Sequence, residues 1–118
     1  MGNGPHYETL AAAHLHAAGL DILERNFRCK LGEIDIIARD KQCVVFVEVR
    51  SRGPSRFGVA AASVTPAKQR KLARAAGLYL QRKGWSSSVT CRFDVIAFDT
   101  GAAGERDHVQ WLRNAFTT

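Results

Sequence analysis

Two short runs set the terms for this chain. GEIDIIAR (32–39) and CVVFVEVR (43–50) are rich in Ile and Val, and only Asp40-Lys41-Gln42 separates them. Such runs read as two strands of a hairpin. Each run carries an acid in its interior, Asp35 in the first and Glu48 in the second. An unpaired carboxylate is costly to bury, so acids in these positions need a partner or a task. Side chains alternate along a strand, which puts Glu33 and Asp35 on one face of the first run and Phe46, Glu48 and Arg50 on one face of the second.

Parity also relates the two runs to each other. If Arg39 pairs with Val44 around a four-residue loop, Asp35 stands opposite Glu48. If Arg39 pairs with Gln42 around a two-residue loop, Glu33 stands opposite Glu48, with Asp35 its diagonal neighbour. Either register leaves Asp35 and Glu48 on one face at the ~5–8 Å typical of cross-strand neighbours. Two readings follow. A divalent cation can sit between the carboxylates, because Mg²⁺ is held by one or two carboxylates with waters and phosphate. Alternatively, Arg50 closes a structural ion pair with Glu48 or Asp35 at a strand end.

The remaining elements fit around this hairpin. Pro5 to Ala18 reads as a helix with Glu8, Ala11, Ala12, Leu15 and Ala18 on one face and Gly19 as its stop. Glu8 is then a third acid on an apolar stripe, explained either by a shared carboxylate site or by the helix dipole. Leu20 to Cys29 is a strand of irregular period, and Arg52 to Val64 is a loop. A second helix is marked by Thr65 as N-cap, Pro66 at the first helical position and Gly84 as the stop. Its apolar stripe is Leu72, Ala76, Tyr79 and Leu80. Thr90 to Phe98 is a strand, and His108 to Phe116 fits either a strand or a short helix. The order α-β-β-β-α-β plus a tail element describes a single α/β domain with a mixed sheet flanked by helices. At 118 residues the whole chain, 1–118, is one domain.

Charge narrows the partners. The chain is +6, and no acid occurs between Val49 and Phe93, a stretch holding ten Lys and Arg residues. A field of one sign favours polyanions, of which nucleic acid is the most abundant in a cell, although a basic face can also serve solubility alone. Cys29, Cys43 and Cys91 form no CxxC pair, which argues for reduced thiols rather than structural zinc or disulfides. No apolar run reaches the ~18 residues of a membrane span and no secretory leader is evident, so a cytoplasmic protein without a membrane partner is expected.

The blocks GEIDIIARDKQCVVFVEVRSR, FGVAAASVTPAKQRKL and CRFDVIAF, together with Glu8 on its Ala-rich helix, resemble the YraN-type family of small bacterial proteins. That family looks like the restriction-endonuclease-like superfamily, near the Holliday-junction resolvases and the tRNA-endonuclease-like domain, with its PD-(D/E)xK signature. The resemblance implies a restriction-endonuclease-like core and a nucleic-acid partner, DNA ahead of RNA. It makes Asp35 the motif Asp, Glu48 the motif Glu and Arg50 the occupant of the Lys position. Glu8, Asp35, Glu48 and the carbonyl of Val49 become ligands of Mg²⁺ or Mn²⁺. Arg52, Lys68, Gln69, Arg70, Lys71 and Arg74 become the nucleic-acid contacts. Arg at position 50 is a departure: a Lys can lose its proton when buried, whereas Arg stays charged and orients phosphate oxygens. The implied activity is metal-dependent phosphodiester hydrolysis. The alternatives are a nuclease scaffold that binds without cutting and a basic domain that meets an acidic protein. Resolvase relatives act as dimers, so a homodimer is also implied.

Overall fold

The computed structural model describes residues 4–52, 64–85, 88–99 and 108–117. In chain order these form α1 (Gly4–Ala17), β1 (Asp21–Cys29), β2 (Gly32–Asp40), β3 (Cys43–Arg52), α2 (Pro66–Lys83), β4 (Thr90–Asp99) and β5 (His108–Phe116). The tail element is therefore a strand. Five strands make one sheet in the order β1-β2-β3-β4-β5. All neighbours are antiparallel except β3 and β4, which run parallel and are linked through α2. A parallel pair needs such a crossover.

Each face of the sheet is covered by one helix. Leu72, Ala75, Ala76, Tyr79 and Leu80 of α2 pack on Val44, Phe46, Phe93 and Val95. Tyr7, Ala11 and Leu15 of α1 pack on Val45, Val47, Ile96 and Phe98. Strict alternation along β3 and β4 thus supplies both cores, the pattern of a central strand buried on two sides. The ends of α2 are built as its sequence specifies. Thr65 Oγ1 accepts from the Lys68 N–H at 3.2 Å, and Gly84 adopts φ 74°. A cap of this kind contributes ~1 kcal/mol.

The β2–β3 register is the one that pairs Arg39 with Val44. The ladder runs one pair further than that register requires, to Asp40–Cys43, so the turn is only Lys41-Gln42, with Lys41 at φ 58°. Helix α1 begins at Gly4, which puts Glu8 beyond the first turn and removes the helix dipole as its explanation. Ala18 lies past the helix and is exposed, so the buried stripe is Tyr7, Ala11 and Leu15, with Glu8 and Ala12 half-buried beside it.

The β1–β2 turn lies close to α2. A Cβ placed on Gly32 would stand 3.1 Å from the Lys71 carbonyl oxygen. Gly32→Ala should therefore force the turn off the helix and destabilise the protein by ~1–3 kcal/mol, as overpacking does. Urea unfolding midpoints measure this, and an unchanged midpoint would contradict the close approach.

Candidate carboxylate site

The site forms where β2 and β3 part. Their pairing stops at Ile36–Val47. Beyond it the Val49 N–H donates to Asp35 Oδ2 at 2.8 Å, so a side chain takes the place of a ladder carbonyl. The cause is a break in alternation. Ile34 joins the core under α2 and Ile36 joins the core under α1, although residues two apart on a regular strand share a face. The neighbouring strand breaks at the same level. Asn26 lies opposite Asp35, between the pairs Arg25–Ile36 and Phe27–Ile34, and has φ 55°. Asn tolerates this left-handed conformation better than most residues.

Glu33 and Asp35 consequently do not behave as a same-face pair. Glu33 is exposed and bridges to Arg28 at 2.8 Å. Asp35 is partly buried, and its carboxyl is pushed up to about 6. Burial is the main cause, followed by the charge of Glu48; the Val49 N–H opposes the rise, Glu33 adds to it and Lys68 opposes it. Glu8 is also raised, by burial first and then by Asp35. The nearby Asn26 side chain and the charge of Arg25 oppose that rise.

Glu48 is 4% exposed. Its Oε2 lies 3.1 Å from Arg50 Nη1 and 3.6 Å from Lys68 Nζ at the start of α2. The structural Glu48–Arg50 ion pair is thus present, with a second cation from 20 residues along the chain. Lys68 acts in the site itself and not only as a surface contact. Among the described residues, no three His, Cys, Asp or Glu side chains stand together as a ready-made metal-ligand group. The chemistry of the donors nevertheless suits a hard cation. They are oxygens, and the proximity of Glu48 already disfavours charge on Asp35, a cost that a cation would relieve.

The other residues are dispersed. Val49 meets the site through its N–H. Gln69 turns away from the carboxylates, donating Nε2 to the Val64 carbonyl at 3.0 Å. Arg70, Lys71 and Arg74 are exposed on α2 and make no ion pair among the described residues. Arg70 and Arg74 line a shallow groove of about 360 Å³ with Gln69 and Ala73. Arg52 ends β3, but its side chain lies outside what the structure describes. No helix among the described residues is long and apolar enough to cross a membrane.

The raised Asp35 carboxyl has a consequence for stability. Unfolded, the group titrates near 3.8; folded, near 6. Between those values the folded state holds a proton that the unfolded state has released. The stability this gives is fully present below the lower value and is lost as pH rises through the upper one. Asp35→Asn should therefore stabilise the metal-free protein at neutral pH by roughly 1–3 kcal/mol and flatten its stability profile between the two values. Urea unfolding across that range checks it; a variant less stable than the parent at neutral pH would contradict it.

Fold and site together define a small α/β domain with a mixed five-stranded sheet between two helices and neighbouring carboxylates where two central strands separate. The chain belongs to the uncharacterised protein family UPF0102, whose model matches residues 7–98. A UPF0102 protein of Alkalilimnicola ehrlichii is 55% identical over 96% of this chain and 90% of its own length. A second, from Nitrosococcus oceani, is 49% identical over 96% of this chain and 90% of its own. A third, from Yersinia pseudotuberculosis, is 49% identical, covering 98% and 94%.

Proposed function

We propose that this chain is a cytoplasmic, restriction-endonuclease-like, nucleic-acid-binding protein that hydrolyses phosphodiester bonds of DNA with the help of Mg²⁺ or Mn²⁺ and works as a homodimer. The observation that carries this reading is the approach of Asp35 to both Glu48 and Glu8 where β2 and β3 part: the charge of Glu48 helps to raise the Asp35 carboxyl, and the charge of Asp35 helps to raise that of Glu8. Asp35 and Glu48 would hold the cation. When bound, it supplies polarisation of the scissile phosphate and a lowered pKa for an attacking water. Arg50 and Lys68, which stand beside Glu48, would be placed to contact the phosphoryl oxygens. Arg70, Lys71 and Arg74 hold the flanking backbone without reading bases.

A second reading, binding without cleavage, is favoured by one observation. Arg50 and Lys68 already neutralise Glu48, and Arg50 cannot give up a proton. One series of measurements separates the two. Mn²⁺ is titrated by calorimetry, then single-stranded, double-stranded and branched DNA and RNA are incubated with either metal. Metal binding with cleavage supports hydrolysis, and Arg50→Lys should then retain or raise the rate. Nucleic-acid binding without cleavage supports the second reading, and neither result points to an acidic protein partner. Affinity should fall steeply with salt. Changing Arg70, Lys71 and Arg74 to Glu should flatten the slope of log K against log salt by roughly 3, at ~0.9 per phosphate contact. An affinity indifferent to salt would contradict the role given to α2.

A further inference from the structure

At the opposite end of the sheet from the carboxylates, the structure has a second cleft that the reading above does not use. It lies between the β2–β3 turn and the segment after α2, and its volume is about 480 Å³. That is within the ~300–1,000 Å³ of small-molecule sites. Its apolar lining is Val44, Val89 and the half-buried indole of Trp85. Arg39 and Lys41, both exposed, supply two cations to the same cleft and form no ion pair among the described residues.

The two tryptophans of the chain differ sharply. Trp111 Nε1 donates to Asp94 Oδ2 at 2.9 Å, and the guanidinium of Arg113 lies 4.0 Å from its ring centroid. Trp85 has no hydrogen-bond partner for its indole N–H among the described residues. Its ring packs edge-on against Tyr79, with centroids 6.2 Å apart, and its backbone is tied to Leu80 at 2.9 Å. It is a held aromatic ring with a polar atom to spare, beside two uncompensated cations.

We infer that this cleft is a nucleotide-binding subsite, taking one unstacked base against Trp85 and its phosphate between Arg39 and Lys41. A planar π-face accepts any base, and stacking on it is sequence-tolerant. Paired cations answer the phosphate. The place of the cleft argues for a nucleotide over other aromatic anions. Trp85 stands just beyond the C-terminal end of α2, while Lys68, in the first turn of that helix, reaches Glu48. The 18 residues of α2 span about 27 Å, with Arg70, Lys71 and Arg74 exposed between the two ends. A polynucleotide following the helix arrives at this cleft. The inference does not depend on metal binding or cleavage.

The test is an NMR titration of the full chain with adenosine 5′-monophosphate in the absence of divalent metal. The Trp85 indole N–H and the Val44 and Val89 methyl groups should shift saturably, and the Trp111 indole should not. Adenosine should bind more weakly, and inorganic phosphate alone should leave the Trp85 indole unmoved. Trp85→Ala should weaken binding by roughly tenfold or more. Because that variant disturbs packing against Tyr79, the double change of Arg39 and Lys41 to Ser, both at exposed positions, provides a second readout. It should weaken nucleotide binding by about tenfold, as expected for losing charge-assisted contacts, while leaving adenosine binding as it was. No saturable shift at Trp85, an equal response of Trp111, or binding that ignores the double change would each overturn the inference. Omitting metal separates its failure from failure of the carboxylate site, which the Mn²⁺ titration tests alone.

Discussion

Glu48→Ala should abolish both Mn²⁺ binding and metal-dependent cleavage. Glu48 is the most buried carboxylate of the site, at 4% exposure, and β3 fixes it from both sides: Val47 and Val49 point to the α1 core while Phe46 packs under α2. Neither Glu33, which is exposed and held by Arg28, nor Asp35, which is held by the Val49 N–H, is free to swing into its place. The loss should exceed the ~10–100-fold typical of removing an outer-shell partner of a metal. The same change leaves Arg50 and Lys68 facing each other without the carboxylate that joins them, so some stability is lost as well. Glu48→Gln separates these effects by keeping the shape and an acceptor oxygen while removing the charge. Calorimetric Mn²⁺ titration and a cleavage assay, read beside a thermal melt, check the expectation. Cleavage that survived both Asp35→Ala and Glu48→Ala would mean that the chemistry lies elsewhere on the molecule.

What could be read from the sequence is what depends on local pattern. The period of two in CVVFVEVR gives both faces of β3, and Thr65-Pro66 and Gly84 mark the ends of α2 because capping acts over a few residues. Parity narrows the hairpin register to two choices, and the structure takes one of them with a shorter turn. The rest depends on contacts between distant segments. The break in alternation at Asp35 needs its partner at Asn26, and one Asn in an irregular run does not announce φ 55°. Lys68 reaches Glu48 only because α2 starts over that end of the sheet. The tail is ambiguous in the sequence for a related reason. The residues of β5 are mostly exposed or half-buried, with no clean alternation, and the strand is fixed by what it pairs with.

That pairing rests on Asp94, and Asp94→Ala should cost the protein about 3–5 kcal/mol, the usual loss when one partner of a buried charged network is removed. Asp94 is 0% exposed yet carries no unmet hydrogen bond. Its Oδ1 accepts from Arg92 Nε at 3.0 Å and from the Asn114 N–H at 2.9 Å. Its Oδ2 accepts from Trp111 Nε1 at 2.9 Å and from Arg92 Nη2 at 3.3 Å. The register of β4 against β5 shifts at this level, between Phe93 and Val95, and Asn114 takes φ 51°. The carboxylate therefore replaces the ladder bonds that the irregularity removes. Without it, Arg92 keeps, among the described residues, Asp40 at 3.1 Å, while the indole N–H and the Asn114 N–H lose the acceptor they have there. Asp94→Asn should be milder but still destabilising, because its amide group turns one acceptor into a donor facing Arg92 or Trp111. Stabilities of small domains are only ~5–15 kcal/mol, so the Ala variant should lose a large share of the total. Urea unfolding gives the magnitude, and hydrogen exchange should show β5 amides losing protection first. A loss below ~1 kcal/mol, within the range of ordinary surface changes, would show that β5 is held by its apolar contacts with Phe93 and Val95 and not by this carboxylate.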